Sequence, residues 1–136
     1  MSEQNKAVVQ NFLEALGKGD VDTIKRLIAR DVSAICMGTS VLSGTRNYDD
    51  ICATAGLLNK VTTNGIEFRI MSMTAEAERV SCEVEGRSTL VNGKPYNNQY
   101  HFLAYVRGGK ICMLKEYLDT KLADEAVAPL MAGLHS

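Results

Sequence analysis

His101 and Glu116 are the two residues of this chain whose types and placement point most directly to chemistry. An imidazole beside a carboxylate is an acid/base unit, because the carboxylate fixes the ring tautomer and raises its basicity near neutral pH. Two turn signals bring them together. Val91-Asn92-Gly93-Lys94 contains Asn-Gly, the strongest short-range hairpin signal, and Arg107-Gly108-Gly109-Lys110 forms a second turn. Two-residue loops at Asn92-Gly93 and Gly108-Gly109 set a register in which His101 lies between Val84 and Glu116. One sheet face then reads Val80, Cys82, Val84, Gly86, Ser88, then Gln99, His101, Leu103, Tyr105, then Cys112, Leu114, Glu116, Leu118.

A polar pair on so apolar a face is either a functional site or a costly structural feature. Three readings stand side by side: general acid/base catalysis, a polar pair lining a ligand pocket, and a buried hydrogen bond that fixes strand register. The direction of the Glu116 pKa shift is open, since desolvation raises it and His101 lowers it. Tyr105 and Gln99 share the face and either orient a ligand or, for Tyr105, fill core with the hydroxyl at the rim. Tyr48 reaches the pocket mouth or packs its helix. Met37, Met71 and Met73 line a cavity or serve as ordinary core.

The elements that must carry these residues follow from periodicity. Val8, Val9, Phe12, Leu13 and Leu16 recur at three and four, which predicts an amphipathic helix stopped by Gly17 and Gly19. Asp20 caps a second helix with the stripe Val21, Ile24, Leu27 and Ile28. Val32 to Met37 reads as a short strand and 38–44 as loop. Thr45 or Asn47 caps a third helix running to about Asn59. Four strands follow at about 65–74, 79–91, 94–107 and 110–119, with a turn of unclear length after Thr74. Beyond Thr120 a short helix or tail is interrupted at Pro129. Helices followed by an antiparallel meander give an α+β domain: three N-terminal helices packed in a strongly curved sheet, with a pocket at its open end.

The opposite face would present Tyr100, Phe102, Ala104, Ile111, Met113 and Tyr117 beside Ser81, Glu83, Glu85 and Arg87. So much apolar surface calls for a cover, and a two-fold homodimer through this outer face is the expectation.

Composition narrows the classes. The 136 residues make one domain, 1–136, with a core of about 5–120 and a tail at 121–136. Fifteen basic and sixteen acidic residues leave a net charge of −1, so no nucleic-acid partner or anionic membrane is expected. No apolar run spans a bilayer and the N-terminus lacks a signal-peptide core, which predicts a cytoplasmic protein. Cys36, Cys52, Cys82 and Cys112 form no Cys-x-x-Cys, and the histidines are only His101 and His135, so no metal is expected. The cysteines read as small buried hydrophobes in a reducing compartment. No glycine-rich phosphate loop or nucleophile triad is visible, and no cofactor is expected.

Gly19-Asp20 between the first helices, Ser43-Gly44-Thr45 before the third, and Gly109-Lys110-Ile111 followed by Glu116-Tyr117-Leu118-Asp119-Thr120 together resemble the nuclear-transport-factor-2-like superfamily. The resemblance is to its SnoaL-like and ketosteroid-isomerase-like branches and spans roughly residues 5–120. It implies a cone-shaped fold with a deep apolar cavity, usually dimeric, hosting isomerases, cyclases, dehydratases, hydrolases and non-catalytic members. Carried over residue by residue, the ketosteroid isomerase tyrosine falls on Phe12, its base near Ile35 and its oxyanion-binding acid on His101. None keeps the required group, so steroid isomerase activity is not expected.

The resulting expectation is cofactor-free proton transfer on a modest hydrophobic small molecule bearing a carbonyl or epoxide. His101 and Glu116 would be catalytic. Tyr105, Gln99, Phe12, Leu103, Leu114, Leu118 and Tyr48 would surround the substrate. The alternative is a non-catalytic ligand-binding or protein-association module.

Overall fold

A computed structural model describes residues 2–134; His135, placed in the tail by the sequence, lies outside them. Among the described residues the helices are α1 (Ser2–Lys18), α2 (Val21–Leu27), α3 (Tyr48–Val61), α4 (Thr120–Ala126) and α5 (Ala128–Leu134). The strands are β1 (Ile28–Cys36), β2 (Gly44–Arg46), β3 (Glu67–Glu76), β4 (Arg79–Arg87), β5 (Asn98–Arg107) and β6 (Lys110–Leu118). They form one mixed sheet in the order β2-β1-β6-β5-β4-β3, with β1 parallel to β6 and every other pair antiparallel.

The helix ends follow local chemistry. Gly19 at φ +69° lets its N–H bond Leu16 O while the Asp20 N–H bonds Ala15 O, closing α1 with a Schellman motif. Asp20 then caps α2 by accepting from the Thr23 N–H. Asn47 caps α3 in a capping box with Asp50. The turn of unclear length is the two-residue loop Ala77-Glu78, with Ala77 at φ +53°.

Phe12 and Leu13 of α1, Ile24 of α2 and Ile51 and Ala55 of α3 are buried with Val80, Cys82, Val84, Phe102, Ala104 and Ile111 of the sheet. At the end of α1 the backbones touch: the Ile66 N–H donates to Gly17 O. A Cβ on Gly17 would fall on the Ile66 carbonyl, so glycine is required there.

The expected register is overturned on both sides of β5. In the first turn Leu90 faces Lys94 across the three residues Val91-Asn92-Gly93, which moves β5 one residue along. His101 therefore lies opposite Glu83, and Val84 opposite Tyr100. The second turn is the two-residue Gly108-Gly109 loop, but a bulge follows it. Val106 pairs with Ile111 and Tyr105 with Met113, so Cys112 is the extra residue. Past that bulge His101 faces Tyr117, and Phe102 faces Glu116.

A one-residue slip turns every side chain of a strand to the other face. Tyr100, Phe102 and Ala104 point into the core, while Gln99, His101, Leu103 and Tyr105 point outward. Ile111, expected outside, is fully buried. The outer face is therefore mixed, with Leu103, Tyr105, Met113 and Tyr117 among Glu83, Gln99, His101 and Lys115. The apolar surface from which a homodimer was expected is largely interior.

The C-terminal segment does more than trail. Ala123 and Val127 of α4 and its end are buried with Leu90 and Tyr96, and Leu42, Leu118 and Met131 pack against them. Asp124 holds this layer to the β1–β2 loop, accepting from the Ser40 hydroxyl at 2.5 Å and the Val41 N–H at 3.1 Å. No helix among the described residues is long and apolar enough to cross a membrane.

Candidate functional site

Between the helices and the concave sheet face lies a pocket with a volume of about 140 Å³. Its walls are mostly apolar: Phe12 and Leu16 of α1, Ile51, Leu57 and Leu58 of α3, Phe68, Phe102, Leu114 and Leu118 of the sheet, and Val127 and Met131 of the C-terminal layer. Tyr100 and Phe102 are stacked at 5.5 Å and 14°, and Phe68 meets both edge-on at 5.4 and 6.2 Å. Such edge and offset contacts are the arrangements aromatic quadrupoles favour.

Polar side chains interrupt this lining at Glu116, Arg46, Cys36, Tyr96, Tyr100 and Thr54. Glu116 reaches the pocket because the bulge at Cys112 keeps it on the concave face, opposite Phe102 on one side and Cys36 on the other. Burial pushes its carboxyl above the usual carboxylate range, while the Arg46 guanidinium and the Cys36 thiol pull it down. The net shift is upward. Burial, followed by the Glu116 charge, raises the Cys36 thiol to about 11, so it stays protonated at neutral pH.

Arg46 ends β2, one residue before the cap of α3. Its Nη2 donates to Leu42 O at 2.8 Å. Among the described residues the ion pairs join other groups, so no carboxylate comes within 4.0 Å of this guanidinium. Arg46 acts on Glu116 through space across the pocket without closing on it.

Two tyrosines complete the polar edge. Burial raises Tyr100 well above its ordinary range, with the neighbouring Tyr96, Glu116 and Cys36 adding to the effect, so its phenol remains a donor. Its ring fits only because residue 86 is glycine: a Cβ there would lie 2.8 Å from Tyr100 Cε1. Tyr96 is also raised by burial. Its hydroxyl accepts from Asn98 Nδ2 at 2.8 Å, and the same amide donates to Asp119 O at 3.1 Å. Asp119 in turn caps α4 through the Leu122 N–H. Asn98, only 2% exposed, thus ties the tyrosine edge to the start of the C-terminal layer.

Of the sequence-derived site residues, Glu116, Phe12, Leu114 and Leu118 come together in the pocket. His101 does not join Glu116. It is exposed on the convex face, where Nε2 lies 2.6 Å from the Ser81 hydroxyl. Gln99, Leu103 and Tyr105 share that outer face for the same reason, the shifted register of β5. Tyr48 packs its ring under the Arg30 guanidinium at 4.6 Å and partly against the core, outside the pocket lining. Met73 is core and Met71 is 52% exposed; neither lines the pocket. Sequence reasoning passed over Arg46, Cys36, Tyr96 and Tyr100. Only Tyr100 carried a usable signal, as a tyrosine one position from the chosen face.

The SnoaL-like domain profile matches residues 9–113 of the chain. The chain belongs to the SnoaL-like domain family. No curated protein matches this SnoaL-like chain. Among solved structures it is similar to a nuclear transport factor 2-like protein of Burkholderia xenovorans, at 23% identity and TM-score 0.75 over 93% of this chain and 97% of that one. It is similar to PrhC from Penicillium brasilianum at 15% identity and TM-score 0.85, over 98% and 91% of the two chains. A third is IdmH of Streptomyces antibioticus, a candidate polyketide cyclase, at 19% identity and TM-score 0.75 over 91% and 99%. These likenesses carry the fold and not the activity.

Proposed function

We propose that this SnoaL-like protein binds a small hydrophobic molecule in the pocket and moves protons on it with Glu116. The observation that carries this reading is a carboxyl raised by burial, set in an apolar pocket with a cation nearby that it does not contact. A carboxyl raised by burial holds a captured proton better than an ordinary glutamate does, which suits it to both taking and returning one. His101 has no part in this scheme.

The chemistry needs no group beyond the chain. The Glu116 carboxylate takes a proton from a carbon next to a carbonyl, and the electron pair left behind moves onto the carbonyl oxygen. Arg46 and the Tyr100 phenol, the cation and the persistent donor, stabilise that oxyanion in a water-poor setting where such interactions are strongest. The carboxylic acid then returns the proton to the same or a conjugated carbon. Isomerisation, ring closure or elimination differ only in what that electron pair does next.

The test is exchange of the α-protons of cyclohexanone in deuterated water, followed by proton NMR. The wild-type protein should accelerate exchange, and Glu116→Gln should remove about 10²-fold or more of that acceleration. Equal rates with wild-type protein, Glu116→Gln and buffer leave a ligand-binding module without proton transfer.

A further inference from the structure

Resting on the same pocket, we propose that its ligand is a one-ring molecule, or one equally compact, carrying an acidic oxygen function that Arg46 receives.

Size comes first. The pocket holds about 140 Å³, while pockets for drug-sized ligands run from about 300 to 1,000 Å³. An engineered apolar cavity of about 150 Å³ is filled by benzene, which sets the scale directly. A fused three- or four-ring body exceeds that volume and would have to extend beyond these walls. The boundary is built by the C-terminal layer, because Val127 and Met131 contribute lining. That layer is held firmly. Its hydrophobic cluster packs on Leu90 and Tyr96, Asp124 latches it to Ser40 and Val41, and Asn98 holds the backbone of its first cap.

Charge comes second. The Arg46 guanidinium carries five N–H donors; among the described residues it donates to one backbone carbonyl, Leu42 O, and has the Cys36 thiol beside it. The nearest acid in the pocket, Glu116, is shifted toward its neutral form and stands beyond ion-pair distance. A guanidinium on an apolar wall, with no carboxylate partner among the described residues, favours an oxyanion, since charge-assisted bonds to it are about twice as strong as neutral ones. The apolar remainder of the wall suits a hydrocarbon ring. A carboxylate, phenolate or enolate attached to one ring satisfies both demands.

Toluene, benzoate and naphthalene-2-carboxylate separate size from charge, and binding is followed by ligand-observed NMR titration. Wild-type protein should bind benzoate about tenfold or more tighter than toluene and at least as much tighter than naphthalene-2-carboxylate. Arg46→Gln should remove the preference for benzoate over toluene while leaving toluene binding within about twofold. Met131→Ala should bring naphthalene-2-carboxylate close to benzoate. Toluene binding as well as benzoate, or the larger carboxylate binding wild type equally well, overturns the assignment, as does absence of binding by either carboxylate. Benzoate binding without any acceleration of cyclohexanone exchange keeps this ligand class and removes proton transfer, so the two failures are distinct.

Discussion

Replacing Phe102 and His101 separately by alanine tests the register that decides which residues reach the pocket. Phe102 is 1% exposed, stacked on Tyr100 and met edge-on by Phe68, with Glu116 across the ladder. Truncating a buried phenylalanine costs about 3–5 kcal/mol through lost transfer energy and the cavity left behind. Each aromatic contact adds about 0.5–1.5 kcal/mol beyond area, which puts Phe102→Ala toward the upper part of that range. His101 is exposed and, among the described residues, its side chain makes one hydrogen bond, to Ser81, so His101→Ala should cost about 0.5–1 kcal/mol. The difference, about 3 kcal/mol, corresponds to a gap on the order of 10 °C in midpoint for a domain of this size. Urea unfolding followed by circular dichroism, with thermal melts alongside, reads both values. Phe102→Leu supplies a milder probe where the alanine variant does not fold. A His101→Ala cost equal to or larger than that of Phe102→Ala or Phe102→Leu would refute the register and return His101 to the interior.

Glu116→Gln gives a pH-dependent result of known sign. A carboxyl raised in the folded state stabilises the fold fully below its unfolded value of about 4.3, and this contribution is lost as pH rises through the folded value. Wild type should therefore weaken relative to Glu116→Gln as pH increases from about 4 to about 8, read from urea midpoints at each pH; a flat difference contradicts the burial of the carboxyl. Burial holds the Cys36 and Cys82 thiols at about 11, so iodoacetamide at neutral pH should label them only after unfolding, as seen by mass spectrometry of peptides. Gly17→Ala should destabilise the fold despite alanine's helix advantage of about 1 kcal/mol, because its Cβ meets the Ile66 carbonyl; a stabilised variant in urea unfolding would show that the α1–β3 contact yields easily.

Much of the architecture was legible because it depends on local chemistry. The stripe Val9, Phe12 and Leu13, the glycine stop at Gly19, the Asp20 cap and the Asn47 cap each act within a few residues, and each forms where the sequence puts it. Alternation on β4 and on β6 from Leu114 onward likewise told which side chains turn inward, Glu116 among them. Between those strands β5 carries apolar residues on both of its faces, Phe102 and Leu103 side by side, so its own pattern does not choose a face. The choice passed to two features that residue types do not announce. One is a third residue in the Asn92-Gly93 loop, and the other is the bulge at Cys112. Because strand side chains alternate, each feature was enough to turn β5 over, and together they exchanged His101 for Tyr100 and Phe102 at the pocket.

What the sequence alone determined about this protein is its family, its three N-terminal helices, the meander of its last four strands and an inward carboxylate at Glu116. What only the tertiary structure decided is the company that carboxylate keeps. Arg46 and Cys36 lie 70 and 80 residues away in the chain and arrive because β1 pairs in parallel with β6 and carries β2 on its far edge. Tyr96 is held by Asn98, and the C-terminal layer closes over the pocket through Val127 and Met131. Contacts of such long sequence separation are set by how whole elements pack, and no local pattern of residues encodes them.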